Sequence, residues 1–437
     1  MKKSTIALSI GAGAGLTFCL AAAVTAHAAS QASFRVISQL TGYSQPTGIT
    51  EGAPGLLYFI GGADIVSLTI KGSLMPLTAF QDPPDIVKSP PVSAANGRLY
   101  SSIEANAGAN TAYAFSVGAA PGQEAYGAQK FSQAFTQNLP DGSLLTLAYR
   151  YSDASMCLAR TDLDGNAPPP IYQFPSGERP GAYANAIYAT DGNYYGSSVT
   201  AAKNETYVYR ITPSGSLTKL LQIPNPVPAY LLQAGDGNLY GATGTNTKSQ
   251  TGTIFKLTLR GQYTLLHTFA RLESVGAILI EGSDGKLYGA SNGSDGSYIF
   301  SVTSTGKYAV VYEMNATDGQ CPCTLVQGSD GIIYGTAQAY GTTGGGTIFA
   351  LEAGLPKPAP QARNFSPATG SVGTKVRIWG QNLFSASVRF HGAPATDVYS
   401  SGPNYVWATV PKGATTGAIA ITTPGGTVTT GASFRVE

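Results

Sequence analysis

Residues 231–269, LLQAGDGNLYGATGTNTKSQTGTIFKLTLRGQYTLLHTF, decide the fold. The stretch holds four runs with strand character, LLQA, NLYGAT, GTIFKLTL and QYTLLHTF. They are rich in the β-branched, aromatic and aliphatic types that fit a pleated, half-buried surface. Asp236-Gly237, a Gly/Thr/Asn/Ser loop and Arg260-Gly261 separate them. An Asp-Gly pair between apolar runs predicts a two-residue hairpin, because glycine tolerates the positive φ that such a turn demands. The unit reads as a four-stranded antiparallel meander.

One such sheet, apolar on both faces, has to be covered by neighbours built the same way, and the chain supplies them. The core Asp-Gly-x-Leu-Tyr-Gly recurs with small changes at 191–196, 284–289 and 330–335, and in degraded form at 96–100, 54–58 and 141–145. Counted on Tyr58, Tyr100, Leu145, Tyr195, Tyr240, Tyr288 and Tyr334, the copies lie 42, 45, 50, 45, 48 and 46 residues apart. Gly72, Gly122, Gly165, Gly215, Gly261 and Gly306 mark the turns before the fourth strands, which are expected to end on Phe80, Phe131, Phe174, Ile223, Phe269 and Met314. The seventh copy has no fourth strand: TIFALEAG runs into Leu355-Pro356-Lys357-Pro358. Residues 34–40, FRVISQL, align with 263–269 and supply the missing piece. The expectation is an all-β chain with a seven-bladed β-propeller over 33–354, closed by the N-terminal strand so that no long sheet edge is left open.

Lys2, Lys3, the apolar run from Ile6 to Val24 and Ala26-His27-Ala28 read as a signal peptide, residues 1–28. An uncleaved anchor is the rival, since the run approaches membrane-spanning length. Phe18 before Cys19 argues against a lipid anchor. Charged residues are 11% of the chain, against about 25% in ordinary globular proteins, which suits an exported surface of Ser, Thr, Asn, Gln and Gly. A net charge of +2 provides no electrostatic footprint for nucleic acid. Cys157, Cys321 and Cys323 remain after cleavage, an odd number. Cys157 is placed at the start of a third strand, and Cys321 and Cys323 before the first strand of the last blade. A bridge across the ring would exceed the roughly 7 Å limit between α-carbons, leaving a strained Cys321–Cys323 loop or three buried thiols, of which the thiols are preferred. Cys-x-Cys without a nearby histidine is a weak metal signal. No metal and no cofactor are expected.

The strand order puts the long loops 196–206, 241–252, 289–297 and 335–346, and the connections 81–90, 175–184 and 315–322, on one face. Ligand contacts are expected there, since binding residues concentrate on loops held by a rigid frame. Residues 355–363 form a Pro-rich linker, and 364–437 alternate as six or seven short strands of a small sandwich. Both tryptophans, Trp379 and Trp407, fall in it and are assigned to its core rather than to sugar stacking.

The repeat, through D-G-x-L-Y-G and G-T-I-F at 236–255 and 330–349, resembles the GloVer tandem repeats of the choice-of-anchor type in exported bacterial proteins. The likeness thins over the first three copies, where Leu145 replaces Tyr. The C-terminal stretch resembles an IPT/TIG domain through Ser366-Pro367, Gly370, Gly373-Thr374, Gly380, Leu383, Val388-x-Phe390-x-Gly392, Val410-Pro411 and Thr423-Pro424-Gly425-Gly426. The resemblances imply an immunoglobulin-like fold for that stretch, an exported or surface-associated protein, and no catalytic motif. No C-terminal sorting signal is read up to Glu437, and the family's optional anchor is expected to be absent.

Nucleophile and base chemistry usually calls on histidine. The mature chain has His267, which aligns with Leu221 and Tyr312 and reads as scaffold, and His391 in the sandwich. Asp82 with Asp85 and Asp162 with Asp164 are nominal carboxylate pairs for glycosidase work, and 291–296 is the one loop where calcium is conceivable. The repeated tyrosines are expected to fill gaps between blades. Candidate ligand contacts are therefore residues that the scaffold does not require: Tyr43, Tyr340, Asn246 and Asn292. The reading is a secreted or periplasmic, cell-surface-associated binding or adhesion protein without catalysis. Its partner is an extracellular glycan, cell-wall polymer or surface protein, with no nucleic acid and no membrane span after cleavage. The alternative is a polysaccharide-acting lyase or hydrolase using loop-face acids and tyrosines; a structural envelope component is third.

Overall fold

The computed structural model describes residues 32–437 apart from positions 42–44, 63, 78–85, 88–90, 95, 97, 105–109, 117–122, 130, 151–154, 164–169, 181–185, 201–204, 224–228, 245–251, 270–273, 276–278, 294–295 and 401. The proposed signal segment lies outside them. Among the described residues every regular element is a strand, and no helix is long and apolar enough to cross a membrane.

Seven antiparallel sheets follow one another along the described residues. Numbered by their first strands, sheets 1 to 7 begin at Thr47, Ile86, Phe131, Glu178, Ala229, Ser274 and Gln320. Sheet 5 is the stretch quoted first, with strands Ala229–Gln233, Leu239–Thr243, Thr253–Leu257 and Tyr263–Thr268 paired in sequence order. In sheets 2, 4 and 6 the first strand is broken into two short pieces that pair with the same second strand. Phe131 opens the first strand of sheet 3 rather than ending the fourth strand of sheet 2, Gln123–Gln129. The strand Ser33–Gln39 pairs antiparallel with Thr347–Glu352 of sheet 7. Phe34 stacks on Tyr312 at 4.2 Å and on Phe349 at 5.1 Å, and Leu40 is buried among residues of sheets 1 and 7.

The turn chemistry differs from expectation. Ala234 N–H donates to Asn238 O at 3.0 Å and Gly237 N–H to Ala234 O at 2.9 Å, so the connection has three residues. Gly237 sits at φ +81° while Asp236 stays outside the left-handed region. A type I turn followed by a left-handed glycine relieves the aspartate of the positive φ that a two-residue turn would impose. Asp236 instead closes the turn: Oδ1 accepts from Asn238 N–H at 3.0 Å and Oδ2 from the Tyr240 hydroxyl at 2.7 Å. Burial opposes its ionisation, but the bonds from Asn238, Tyr240 and Lys256 outweigh it and pull the carboxyl down to about 2. Tyr195 on Asp191, Tyr288 on Asp284 and Tyr334 on Asp330 repeat the bond.

Each of these tyrosines packs against the following sheet. Tyr195 lies with Leu231, Leu239 and Phe255, Tyr240 with Leu279, Leu287 and Phe300, and Tyr334 with Leu57 and Phe59. The glycine after the tyrosine makes room for the phenylalanine of G-T-I-F: a Cβ on Gly241 would stand 2.2 Å from the Phe255 ring, and one on Gly335 2.2 Å from Phe349.

A second set of bonds joins sheets near their turns. Gly235 N–H donates to Glu281 Oε2 at 2.8 Å, Ser283 N–H to Gln327 Oε1 at 2.9 Å, and Ser329 N–H to Glu51 Oε2 at 2.7 Å. Thr190 N–H donates to Gln233 Oε1 at 2.9 Å, and Tyr188 N–H to Gln137 Oε1 at 2.6 Å. Glu51 is only 4% exposed. Burial raises its carboxyl above the usual carboxylate range, although bonds from Gly55 and Ser329 pull the other way.

Residues 361–436 form two further sheets enclosing Val376, Ile378, Val388, Phe390, Val406, Ile419, Ile421 and Phe434. Neither tryptophan belongs to this core, contrary to expectation. Side chains alternate along a strand. With Val376 and Ile378 inward on Lys375–Gln381, and Val406 and Ala408 inward on Tyr405–Thr409, Trp379 and Trp407 face out. Trp379 and Tyr405 are buried against Leu163 of sheet 3. The Tyr405 hydroxyl donates to Leu139 O at 2.8 Å and Arg377 to Asp141 O at 3.1 Å. Pro356 O accepts from Ser283 Oγ at 2.5 Å and Gln327 Nε2 at 3.2 Å. The C-terminal sheets and their linker therefore lie against turn ends of the repeats.

Removing residues 33–40 is expected to lower the melting temperature of the whole repeat array in one cooperative step, seen by calorimetry; unchanged melting would refute closure. Gly241→Ala should destabilise by about 1–3 kcal/mol, measured by denaturant unfolding, because its methyl and the Phe255 ring need the same space.

Candidate ligand-binding site

The C-terminal sheets contact turns between first and second strands; at the other strand ends the second strand leads to the third and one sheet to the next. Tyr340 lies there, 56% exposed and in the left-handed region at φ +63°. Its backbone is held on both sides: Gly346 N–H donates to Tyr340 O at 3.0 Å and Gly341 N–H to Ala316 O at 3.0 Å. Gln39 fastens the same loop, accepting from Thr342 N–H at 2.9 Å and donating to Thr317 O at 3.1 Å. Asn292 is half-buried, and its Oδ1 accepts from Ser297 Oγ at 3.0 Å, while that hydroxyl accepts from Cys321 N–H at 3.1 Å. Asn292 thus braces the Ser297 hydroxyl, which joins sheet 6 to sheet 7. Tyr43 and Asn246 lie outside the described residues, as do Asp82, Asp85, Asp164 and part of the 291–296 loop.

Cys321 and Cys323 are half-buried free thiols, and Cys157 is buried. Cys321 and Cys323 lie within the first strand of sheet 7, Gln320–Gln327, rather than before it. The Cys323 thiol bonds Pro46 O at 3.1 Å, and burial pushes it up to about 11. His267 pairs with Ile254 at the register where Leu221 meets Val208 and Tyr312 meets Ile299. Its ring stacks flat on Tyr308 at 3.8 Å, an outer-strand packing role.

Among the described residues there is one cleft that the sequence did not announce. About 640 Å³ in volume, it opens at the loop end of sheet 4 between Pro175–Glu178, Thr200, Glu205, Tyr207 and Lys219–Gln222. Glu178 begins the first strand opposite Thr200, and Tyr207 and Lys219 project from the third and fourth strands. The Tyr207 hydroxyl donates to Glu178 Oε2 in a short bond, and Lys219 Nζ lies 3.5 Å from Glu178 Oε1 and 3.9 Å from the Tyr207 ring centroid. Burial first, and then the bond to Glu178, push the Tyr207 phenol far above its ordinary range. Its proton stays in place at neutral pH. The group offers a donor, an acceptor and a cation in one place. The slot itself gave no signal: Tyr207 stands where Thr253 and Thr347 stand in sheets 5 and 7, but Tyr298 fills the same position in sheet 6.

A family model described as the Gloeobacter/Verrucomicrobia repeat matches residues 230–372, which include sheets 5 to 7. No curated protein matches the sequence. Among solved structures the chain is similar to a streptogramin B lyase, with a TM-score of 0.53 and 16% identity over 74% of this chain and 98% of that one. It is also similar to a catalytically inactive virginiamycin B lyase from Staphylococcus aureus with quinupristin, at 0.54 and 14% over 74% and 99%. A puromycin hydrolase matches at 0.53 and 15% over 80% of this chain and 62% of that one. At such identities the likeness establishes a β-propeller fold built from a repeat and carries no activity with it.

Glu178→Gln should lower the Tyr207 titration relative to the native protein while leaving it above an ordinary phenol, because burial persists when the charge and its bond are gone. Phenolate absorbance against alkaline pH, with Tyr207→Phe as reference, reads the change; identical curves would mean that Glu178 does not hold the proton.

Proposed function

We propose that this is an exported, non-catalytic binding protein of the cell surface. In this reading the seven sheets are the blades of a β-propeller spanning 33–354, with the Ser33–Gln39 strand as its clasp, and 364–437 is an immunoglobulin-like IPT/TIG domain on a linker, 355–363. Residues 1–28 direct export and are removed. The ligand is an extracellular glycan or cell-wall polymer held at the loop end of the propeller.

The observation that carries this is the Glu178–Tyr207–Lys219 cleft. A carboxylate, a phenol and an ammonium fixed beside Gln222 and Thr200 form a hydrogen-bonding set suited to sugar hydroxyls. A general base works best with a pKa near the operating pH, whereas the Tyr207 phenol is pushed the opposite way. The second reading is a lyase or hydrolase acting on polysaccharide; the similar structures include lyases and a hydrolase, though none of those named acts on a polysaccharide by its description. One of those is a lyase made inactive by a histidine-to-alanine change. The described propeller histidine here, His267, is stacked on Tyr308 on an outer strand.

A polysaccharide panel separates the two. Saturable binding to at least one glycan is expected, weakened about tenfold, or 1.4 kcal/mol, by Glu178→Gln or Lys219→Met, without new reducing or unsaturated ends. Release of such ends by the native protein, abolished in Glu178→Gln, would establish the enzyme instead.

A further inference from the structure

The outward face of the sheet formed by Gln361–Ser366, Lys375–Gln381, Tyr405–Thr409 and Thr396–Ser400 is divided in two. One part, Trp379 and Tyr405, is buried against sheet 3. The other part is open. There Tyr399 and Trp407 are cross-strand partners, Tyr399 is 57% exposed, and the two rings line a cleft of about 440 Å³ with Lys375, Asp397 and Thr409.

Three features mark this as more than leftover surface. First, a register irregularity between Thr396 and Tyr399 brings Asp397 into the left-handed region at φ +50°; bulges of this kind re-aim side chains. Second, Arg377 lies 5.8 Å from the Trp407 ring centroid while donating to Asp141 O of the repeat array. The indole platform is thereby braced by the same interface that buries Trp379. Third, among the described residues neither the Lys375 ammonium nor the Asp397 carboxylate enters an ion pair with the protein. A donor and an acceptor stand ready on either side of an aromatic floor.

We infer that Tyr399 and Trp407 form a second glycan site, in the C-terminal domain, that takes a pyranose bearing a carboxylate. The apolar C–H face of the sugar ring lies on the aromatic pair, the Lys375 ammonium meets the sugar carboxylate, and Asp397 accepts from ring hydroxyls. Lys375 and Arg377 against the single Asp397 leave the site cationic overall, which selects an acidic over a neutral sugar. The site stands apart from the propeller cleft and does not depend on it. An acidic polysaccharide long enough to reach both would gain avidity from the pair without any new contact.

The test uses the full mature chain and two probes, galacturonic-acid oligomers and neutral galactose oligomers of equal length. Because Trp379 and Trp407 are the only tryptophans and Trp379 is buried, a saturable change in indole emission reports on Trp407. The uronate oligomer is expected to give that change, with Tyr399→Ala and Trp407→Phe weakening binding at least about tenfold. Lys375→Met should erase the preference over the neutral oligomer. The propeller cleft is read separately, by the polysaccharide panel with Glu178→Gln, which separates failure here from failure of the propeller reading. No saturable response to the uronate oligomer, equal response to both oligomers, or undiminished binding by Tyr399→Ala at unchanged melting temperature would overturn the inference.

Discussion

The constraint on which the rest depends is the fate of a few backbone N–H groups at the turns between first and second strands. Gly235, Ser283, Ser329 and Thr190 each donate to a carboxamide or carboxylate of the following sheet. Leaving such a group without a partner costs about 1–3 kcal/mol when it is buried. Because every one of these bonds crosses between sheets, it fixes their spacing as well as satisfying a donor. Gln327 and Gln233 do this with neutral oxygens, whereas Glu51 does it with a carboxyl whose burial disfavours its charge. The junction of sheet 7 with sheet 1, where the first and last sheets of the repeat array meet, is also where Ser329 Oγ and Gly55 N–H are added to the bond. The seam between distant parts of the sequence carries the denser set.

Given that spacing, the repeat motif acts at two depths. The aspartate closes its own turn and orients the tyrosine, whose ring then fills the gap to the next sheet. The glycine after the tyrosine lets the phenylalanine of the third strand lie flat across the second. Both interactions recur in sheets 4 to 7, so neither by itself marks one of those sheets as a site. What sets sheet 4 apart is the grouping of Glu178 and Lys219 around Tyr207, and what sets sheet 7 apart is the left-handed Tyr340 on its long loop.

Much of the scaffold was legible in the sequence because periodicity in residue type survives where packing repeats. Tyr240, Gly241 and Phe255 announce their roles by recurring, and the missing fourth strand of the last copy pointed to Ser33–Gln39. Local geometry was less legible. The Asp-Gly turn has a two-residue look in sequence, but aspartate avoids positive φ and the glycine takes it alone. The tryptophans were misplaced because size and apolarity suggest a core, while the alternation of Lys375–Gln381 and Tyr405–Thr409 already turns them outward. The cleft at sheet 4 was hidden for another reason. Glu178, Tyr207 and Lys219 come from three strands, none carries a motif, and only the sheet brings them together.

The position of the C-terminal sheets then limits where ligands can bind. By burying Trp379 and Tyr405 on the turns of sheet 3, and by engaging Ser283 and Gln327 through Pro356, this domain occupies turn ends that a propeller would otherwise offer as a second face. Among the described residues, the cleft at sheet 4's loop end and the part of the sandwich's outward sheet around Tyr399 lie away from these contacts. With few charged residues to direct partners from a distance, the recognition proposed for these two surfaces would act at contact, through aromatic rings beside a few polar groups, as at Tyr207 and at Trp407.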